Sequence, residues 1–144
     1  MEPYLALFEP DREAGGYVVT FPDFGYGVTQ GETGAEALGM AQDLLMLTIG
    51  DFMRESKALP KARRHRAAHF RPVTLPALQT AKVDLYNAFM ASGLIKAELA
   101  RRIGISKTHV DRLFSLRHHS QLEQIEKAFA ALGKRLHVEA RDAA

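Results

Sequence analysis

Apolar and polar positions change rhythm along this chain, and the changes outline its elements. Residues 4–9, YLALFE, are short and apolar with β-capable ends, and GGYVVTF, 15–21, is β-branched and aromatic after a glycine pair. The turn-forming EPDREAGG between them predicts a hairpin. PDFGYG ends the second strand, and VTQG, 28–31, gives a third. A period of three and four then takes over. Ala37, Leu38, Ala41, Leu44, Leu45, Thr48, Ile49 and Phe52 share one face of a helix from Ala35 to Arg54. Thr33 and Glu36 form a capping box at its head, while Gly39 and Gly50 weaken it locally. RPVTLP, 71–76, predicts a fourth strand that its prolines confine to a sheet edge.

After Pro76 the texture becomes helical. ALQTAKVDLYNAFMASG predicts a helix that stops at Ser92-Gly93, KAELARRIG a short second one, and SKTHVDRLFSL a third. SQLEQIEKAFAALG opens on a capping box, Ser120 with Glu123, and stops at Gly133. RLHVEA alternates and predicts a terminal strand. The expected fold class is α+β: a β-β-β-α-β domain at 1–75, then an all-α domain with a terminal β-strand at 76–144.

Residues 96–113 carry the most specific pattern. Leu99 and Ile103 face a core four apart, and Ala100 is small where a second helix must come close. Gly104 sits where the chain turns and Ile105 plugs the turn. Ser106 caps the next helix, which Val110 and Leu113 anchor. Lys107, Thr108, His109, Asp111 and Arg112 are left facing outward. This is the spacing of a helix-turn-helix, whose second helix enters the DNA major groove. A helical hairpin that merely packs is the plain alternative; the unpaired polar face and the basic surroundings count against it. Lys107 and Arg112 can donate to guanine edges or phosphates, and Thr108 can hydrogen-bond or meet a thymine methyl, with His109 on the same face. Ser106, Lys96 and Arg117 are assigned to phosphates. Asp111 either faces a cytosine amino group or points away. Ala97 stands where many such motifs carry a phosphate-contacting Gln. A lone motif reads only a few base pairs, so a homodimer or higher homo-oligomer on a palindromic operator is expected, joined through RLHVEA or the helix 121–132.

Charge sharpens this picture. Residues 1–56 hold ten acids against Arg12 and Arg54, a net of −8. Residues 57–83 hold seven bases and no acid, and 84–144 carry a net of +3. Such asymmetry argues for two surfaces with different partners. The run Lys57–His69 reads as a solvated, mobile loop, with a phosphate-contacting arm as the sharper alternative. Hydrophobic content of 47% supports a packed core, and the absence of cysteine excludes disulfides and thiolate metal sites. MEPYLALFEPDR lacks the basic start of a secretory signal, and the apolar run Leu44–Phe52 is too short and too interrupted to span a bilayer. A soluble, cytoplasmic protein that does not enter a membrane is expected.

Other chemistry lacks the residue spacing it needs. His65, His69, His118 and His119 have no carboxylate or thiol at ligand spacing, so no metal and no cofactor are expected. Glu9, Asp11, Asp23 and Glu32 can be drawn as a two-metal nuclease site, but they fall in turns and strand ends; a partner-binding surface is the preferred reading, and no enzyme is expected.

Gly16-Tyr17, Phe21-Pro22-Asp23, Val28-Thr29-Gln30-Gly31, Thr33 and Glu36-Ala37-Leu38 closely resemble the N-terminal domain of the HicB-type antitoxin family, whose members often carry a C-terminal helix-turn-helix. The resemblance implies a degenerate ribonuclease-H-like domain that binds a small basic ribonuclease toxin, HicA-like, and covers its catalytic histidine. It implies that the other end represses the shared promoter. It places the toxin-binding face on Asp11, Tyr17, Asp23, Phe24, Tyr26 and Glu32. Phe24-Gly25-Tyr26-Gly27 replaces the Pro-Gly-Cys-like turn usual in that family. The charge map agrees, because a −8 module suits a basic partner and the basic remainder suits DNA. The alternative is a stand-alone repressor whose N-terminal domain senses a small ligand.

Overall fold

The computed structural model describes residues 1–143. They form two compact units, 1–80 and 81–143.

The first unit is a four-stranded antiparallel sheet covered by one helix. Strands β1 (Tyr4–Pro10), β2 (Tyr17–Thr20), β3 (Val28–Gly31) and β4 (Phe70–Val73) lie in the order β3-β2-β1-β4. β1 takes the centre by pairing with β2 (Leu7 opposite Thr20) and with β4 (Leu7 opposite Phe70). Pro72 sits on β4, an edge strand, where its missing donor faces no neighbour. Alternation along β1 sends Tyr4, Ala6 and Phe8 into the core. Helix α1 (Gly34–Arg54) buries Ala37, Ala41, Leu45, Ile49 and Met53 on the face that covers the sheet.

The predicted capping box forms with a shifted return bond. Thr33 Oγ1 accepts from Glu36 N at 3.1 Å, and Glu36 Oε2 accepts from Glu32 N at 3.3 Å. Two glycines let the layers close. Gly31 lies so near the start of α1 that a Cβ there would fall inside the backbone of Ala37. Gly16 has φ +74 and would drive a Cβ into the Gly31 carbonyl.

Helix α2 (Ala77–Ser92) begins in the first unit and runs on into the second, which adds α3 (Lys96–Ile103), α4 (Lys107–Leu113) and α5 (Leu122–Ala131). α2 stops where the sequence predicts: Ser92 Oγ donates to Phe89 O and accepts from Leu94 N, and Gly93 turns left-handed at φ +73. The core joins Val83, Tyr86 and Phe89 to Leu99, Val110, Leu113, Phe114, Ile125 and Phe129.

Two sequence expectations fail here. RLHVEA, 135–140, forms no strand, and Val138 is exposed. Alternation alone is insufficient, because a strand needs a hydrogen-bonding neighbour and the helical unit offers none. Ser120 is not the cap of α5: Gln121 holds the cap position without a side-chain bond. Ser120 is instead buried, its hydroxyl without a partner among the described residues.

Candidate functional site

In the first unit the chemistry centres on Asp23, in the turn after β2. Its side chain is only 2% exposed. A buried carboxylate must be compensated, and both oxygens are: Oδ2 accepts from Arg63 N at 3.0 Å, and Oδ1 lies 3.0 Å from His65 Nε2. The His65 ring stacks on Phe70 with centroids 4.4 Å apart and planes 6° apart. Tyr4 Oη donates to Pro60 O at 2.5 Å, and burial first, then Asp23, pushes its phenol up to about 12. The basic run is therefore an irregular strap held at several points, not a free loop.

The toxin-facing candidates divide by exposure. Phe24 is buried in an aromatic cluster, 4.7 Å from Tyr4 and 5.5 Å from Phe52. Asp23 is turned inward by the strap. Asp11 Oδ1 accepts from Glu13 N and Ala14 N, each at 3.1 Å, and so builds the hairpin turn. Tyr17 is half-buried on β2, opposite Gly31. Glu32 is exposed at the head of α1. Tyr26 is 49% exposed and stacks on Phe52 at 6.3 Å and 9°. Desolvation first, then Asp51 and Glu55, raises its phenol above the ordinary value. Tyr26 and Glu32 thus present open surface, whereas Asp23 and Phe24 shape the turn beneath. Among the described residues no three His, Asp or Glu side chains converge as a metal site.

In the second unit α3 and α4 form the predicted helix pair. Gly104 ends α3 in the left-handed region, at φ 80 and ψ 33. Ser106 caps α4 by accepting from His109 N at 3.2 Å, and its hydroxyl also lies 3.1 Å from His109 Nδ1. Leu99, Ala100, Val110 and Leu113 are buried, Ile103 and Ile105 half-buried. Lys107, Thr108, His109, Asp111 and Arg112 are all exposed, as is Arg117 in the following turn. Lys96 Nζ pairs with Asp111 Oδ1 at 2.9 Å. That pair tethers α3 to α4 and neutralises the one acid on the outward face, so Lys96 is engaged within the protein.

Sequence reasoning missed Lys82. It is fully buried. Its ammonium donates to the carbonyls of Arg112 at 3.1 Å, of Ser115 at 2.7 Å and of His118. Three N–H groups meet three carbonyls at the C-terminal end of α4, where cations are favoured. Burial pushes Lys82 down to about 8. Desolvation, then Lys82 and Arg112, lowers the exposed His118 below its ordinary value, marking an electropositive turn.

A family model described as "HicB_like antitoxin of bacterial toxin-antitoxin system" matches residues 3–84. "Antitoxin HicB" of Escherichia coli (strain K12) is 42% identical over 92% of this chain and 95% of its own length. "Antitoxin HicB 1" of Photorhabdus laumondii is 36% identical over 92% of this chain and 83% of its own. Among solved structures, a chain of "Toxin-Antitoxin complex from Streptococcus pneumoniae" is similar at a TM-score of 0.45 and 23% identity, covering 74% of this chain and 90% of that one.

Proposed function

This chain belongs to the HicB-like antitoxin family of bacterial toxin–antitoxin systems, and from that premise we propose that it has two partners. The acidic first unit binds and blocks a small basic ribonuclease toxin, HicA-like. The second unit binds operator DNA and represses the operon that encodes both. It does so in the cytoplasm as a homodimer or higher homo-oligomer, and among the described residues no helix is long and apolar enough to cross a membrane.

The observation that carries this reading is the face of α4. Every apolar residue of that helix is buried, every polar one is exposed, and its one acid is paired internally with Lys96. Lys107, Thr108 and Arg112 are left to meet base edges, as is the His109 ring by the nitrogen that Ser106 does not hold, with Arg117 exposed in the following turn for phosphate. In the first unit, residues 1–56 carry a net of −8, which the six bases of residues 57–80 reduce to −2; the acidic surface away from the strap favours a basic partner electrostatically. Glu32 is an exposed contact with Tyr17 and Asp11 near it, and Tyr26 is an exposed contact at the other end of β3, against Phe52; Asp23 and Phe24 act through the turn that they shape.

Footprinting the full chain on DNA upstream of its gene tests the operator half. Protection of a symmetric site supports it, and equal affinity for scrambled duplex rejects it. The toxin half is tested by mixing the chain with the product of the adjacent small reading frame and measuring RNA cleavage.

A further inference from the structure

We propose that residues 57–66 form a docked, cation-bearing strap that contacts the phosphate backbone of duplex DNA, a second nucleic-acid surface besides α4. The proposal rests on the DNA-binding reading of this chain and extends it to the first unit.

The first observation is how the strap is held. It has no regular secondary structure, yet its anchors are specific: Pro60 O to Tyr4 Oη, and both Arg63 N and the His65 ring to Asp23. Each uses a carbonyl, an amide or an imidazole, and none uses a lysine or arginine side chain. Lys61, Arg63, Arg64 and Arg66 are exposed, and none of the four forms an ion pair among the described residues. Lys57, at the start of the strap, pairs with Glu55; beyond it the fold fixes the backbone and leaves the cations of Lys61, Arg63, Arg64 and Arg66 available.

The second observation is composition. From Lys57 to Val83 there are seven bases and no acid, although the sequence just before it carries a net of −8. A solvated surface run ordinarily interleaves both signs. From Lys61 to Arg66 an extended chain spans at most about 17 Å. Each DNA strand presents a phosphate about every 3.4 Å along its axis, so four cations on such a strap meet several phosphates.

Third, the strap is bracketed. Ser56 at φ 54 and His69 at φ 70 are the non-glycine residues with left-handed backbone among those described. Such conformations persist where the surroundings impose them. A docked strap loses less conformational entropy on binding than a free loop would.

The occupant is DNA rather than the toxin. A basic protein is repelled by an all-basic strap, and a chain already held on DNA presents its other cations at raised effective concentration.

The test uses the full chain, an upstream duplex from its own operon, and a scrambled duplex of equal length. The affinity of wild type and of an Arg63→Gln/Arg64→Gln/Arg66→Gln variant is measured against salt. These side chains are exposed, so a matching thermal melt controls for folding. The slope of log K against log salt should shrink by about 0.9 for each phosphate that is no longer neutralised, about 2–3 in all, on both duplexes, with the preference for the upstream duplex unchanged. An unchanged slope overturns the strap proposal while leaving operator recognition standing. Equal wild-type affinity for the two duplexes overturns operator recognition, and the slope still decides the strap. Failure to bind either duplex overturns both.

Discussion

Asp23 and His65 stand 42 residues apart in the chain and 3.0 Å apart in space. The buried Asp23 carboxylate, which also accepts from Arg63 N, ties the acidic N-terminal segment to the basic strap that follows it. This one contact turns a charge run that reads as a loop into a positioned surface.

Asp23→Asn keeps the shape of the side chain and removes its charge. Hydrogen bonds to charged groups contribute about 1.5–3 kcal/mol each, so the strap should open about tenfold more often or better. Limited trypsin digestion reads this directly as faster cleavage after Lys61, Arg63, Arg64 and Arg66. An unchanged cleavage rate would show that the carboxylate does not hold the strap.

Arg112→Ala and Lys107→Ala separate base reading from phosphate binding. Removing a bidentate base contact costs about 1–3 kcal/mol and relaxes preference at one operator position. Removing a phosphate contact weakens all sequences alike and shrinks the salt slope by about 1. Both variants should melt like the wild type, because both side chains are exposed. Binding curves on operator duplexes with single base changes decide the role of each residue.

Lys82→Met leaves the carbonyls of Arg112, Ser115 and His118 without their donor. The second unit should lose about 1–3 kcal/mol, a modest figure because this turn lies near solvent. Its pH dependence is more telling. Lys82 holds its proton up to pH 10.5 when unfolded but only to about 8 when folded. Between those values the unfolded chain binds more protons, so stability from this group rises with pH through that window. Denaturant melts from pH 7.5 to 10.5 should show that rise in the wild type relative to Lys82→Met. A flat difference between the two would place the Lys82 charge outside the energetics of this unit.

Gly31→Ala adds one methyl where β3 meets the start of α1. Backbone cannot yield as a flexible side chain can, so the first unit should lose about 1–3 kcal/mol or more. For a unit of this size that means a melting temperature lower by several degrees. Gly25→Ala tests a different demand: nothing crowds its position, but φ +75 strains any side chain, so the loss should be the smaller of the two. Equal losses would contradict the packing argument.

Features set by near neighbours were legible in the sequence. The hairpin, the Thr33–Glu36 box, the Ser92-Gly93 stop and the Gly104–Ser106 turn all depend on residues within a few positions of one another. Lys82 was not legible, since a lysine in a helix ordinarily marks the wet face and its acceptors come from the last turn of α4 and the residues that follow it. The Asp23 clamp was hidden for the same reason, because its partners arrive from across the sheet. RLHVEA failed in the opposite direction: its alternation is real, but a strand is a property of two segments and the second is missing from its unit.

The central claim is that one chain serves a basic toxin and operator DNA with different units. The most direct test titrates the purified chain into an RNA-cleavage assay driven by the product of the adjacent small reading frame. The prediction is stoichiometric inhibition that Arg112→Ala retains and that Tyr26→Ala combined with charge reversal at Glu32 weakens. Undiminished cleavage in the presence of excess folded chain would contradict it.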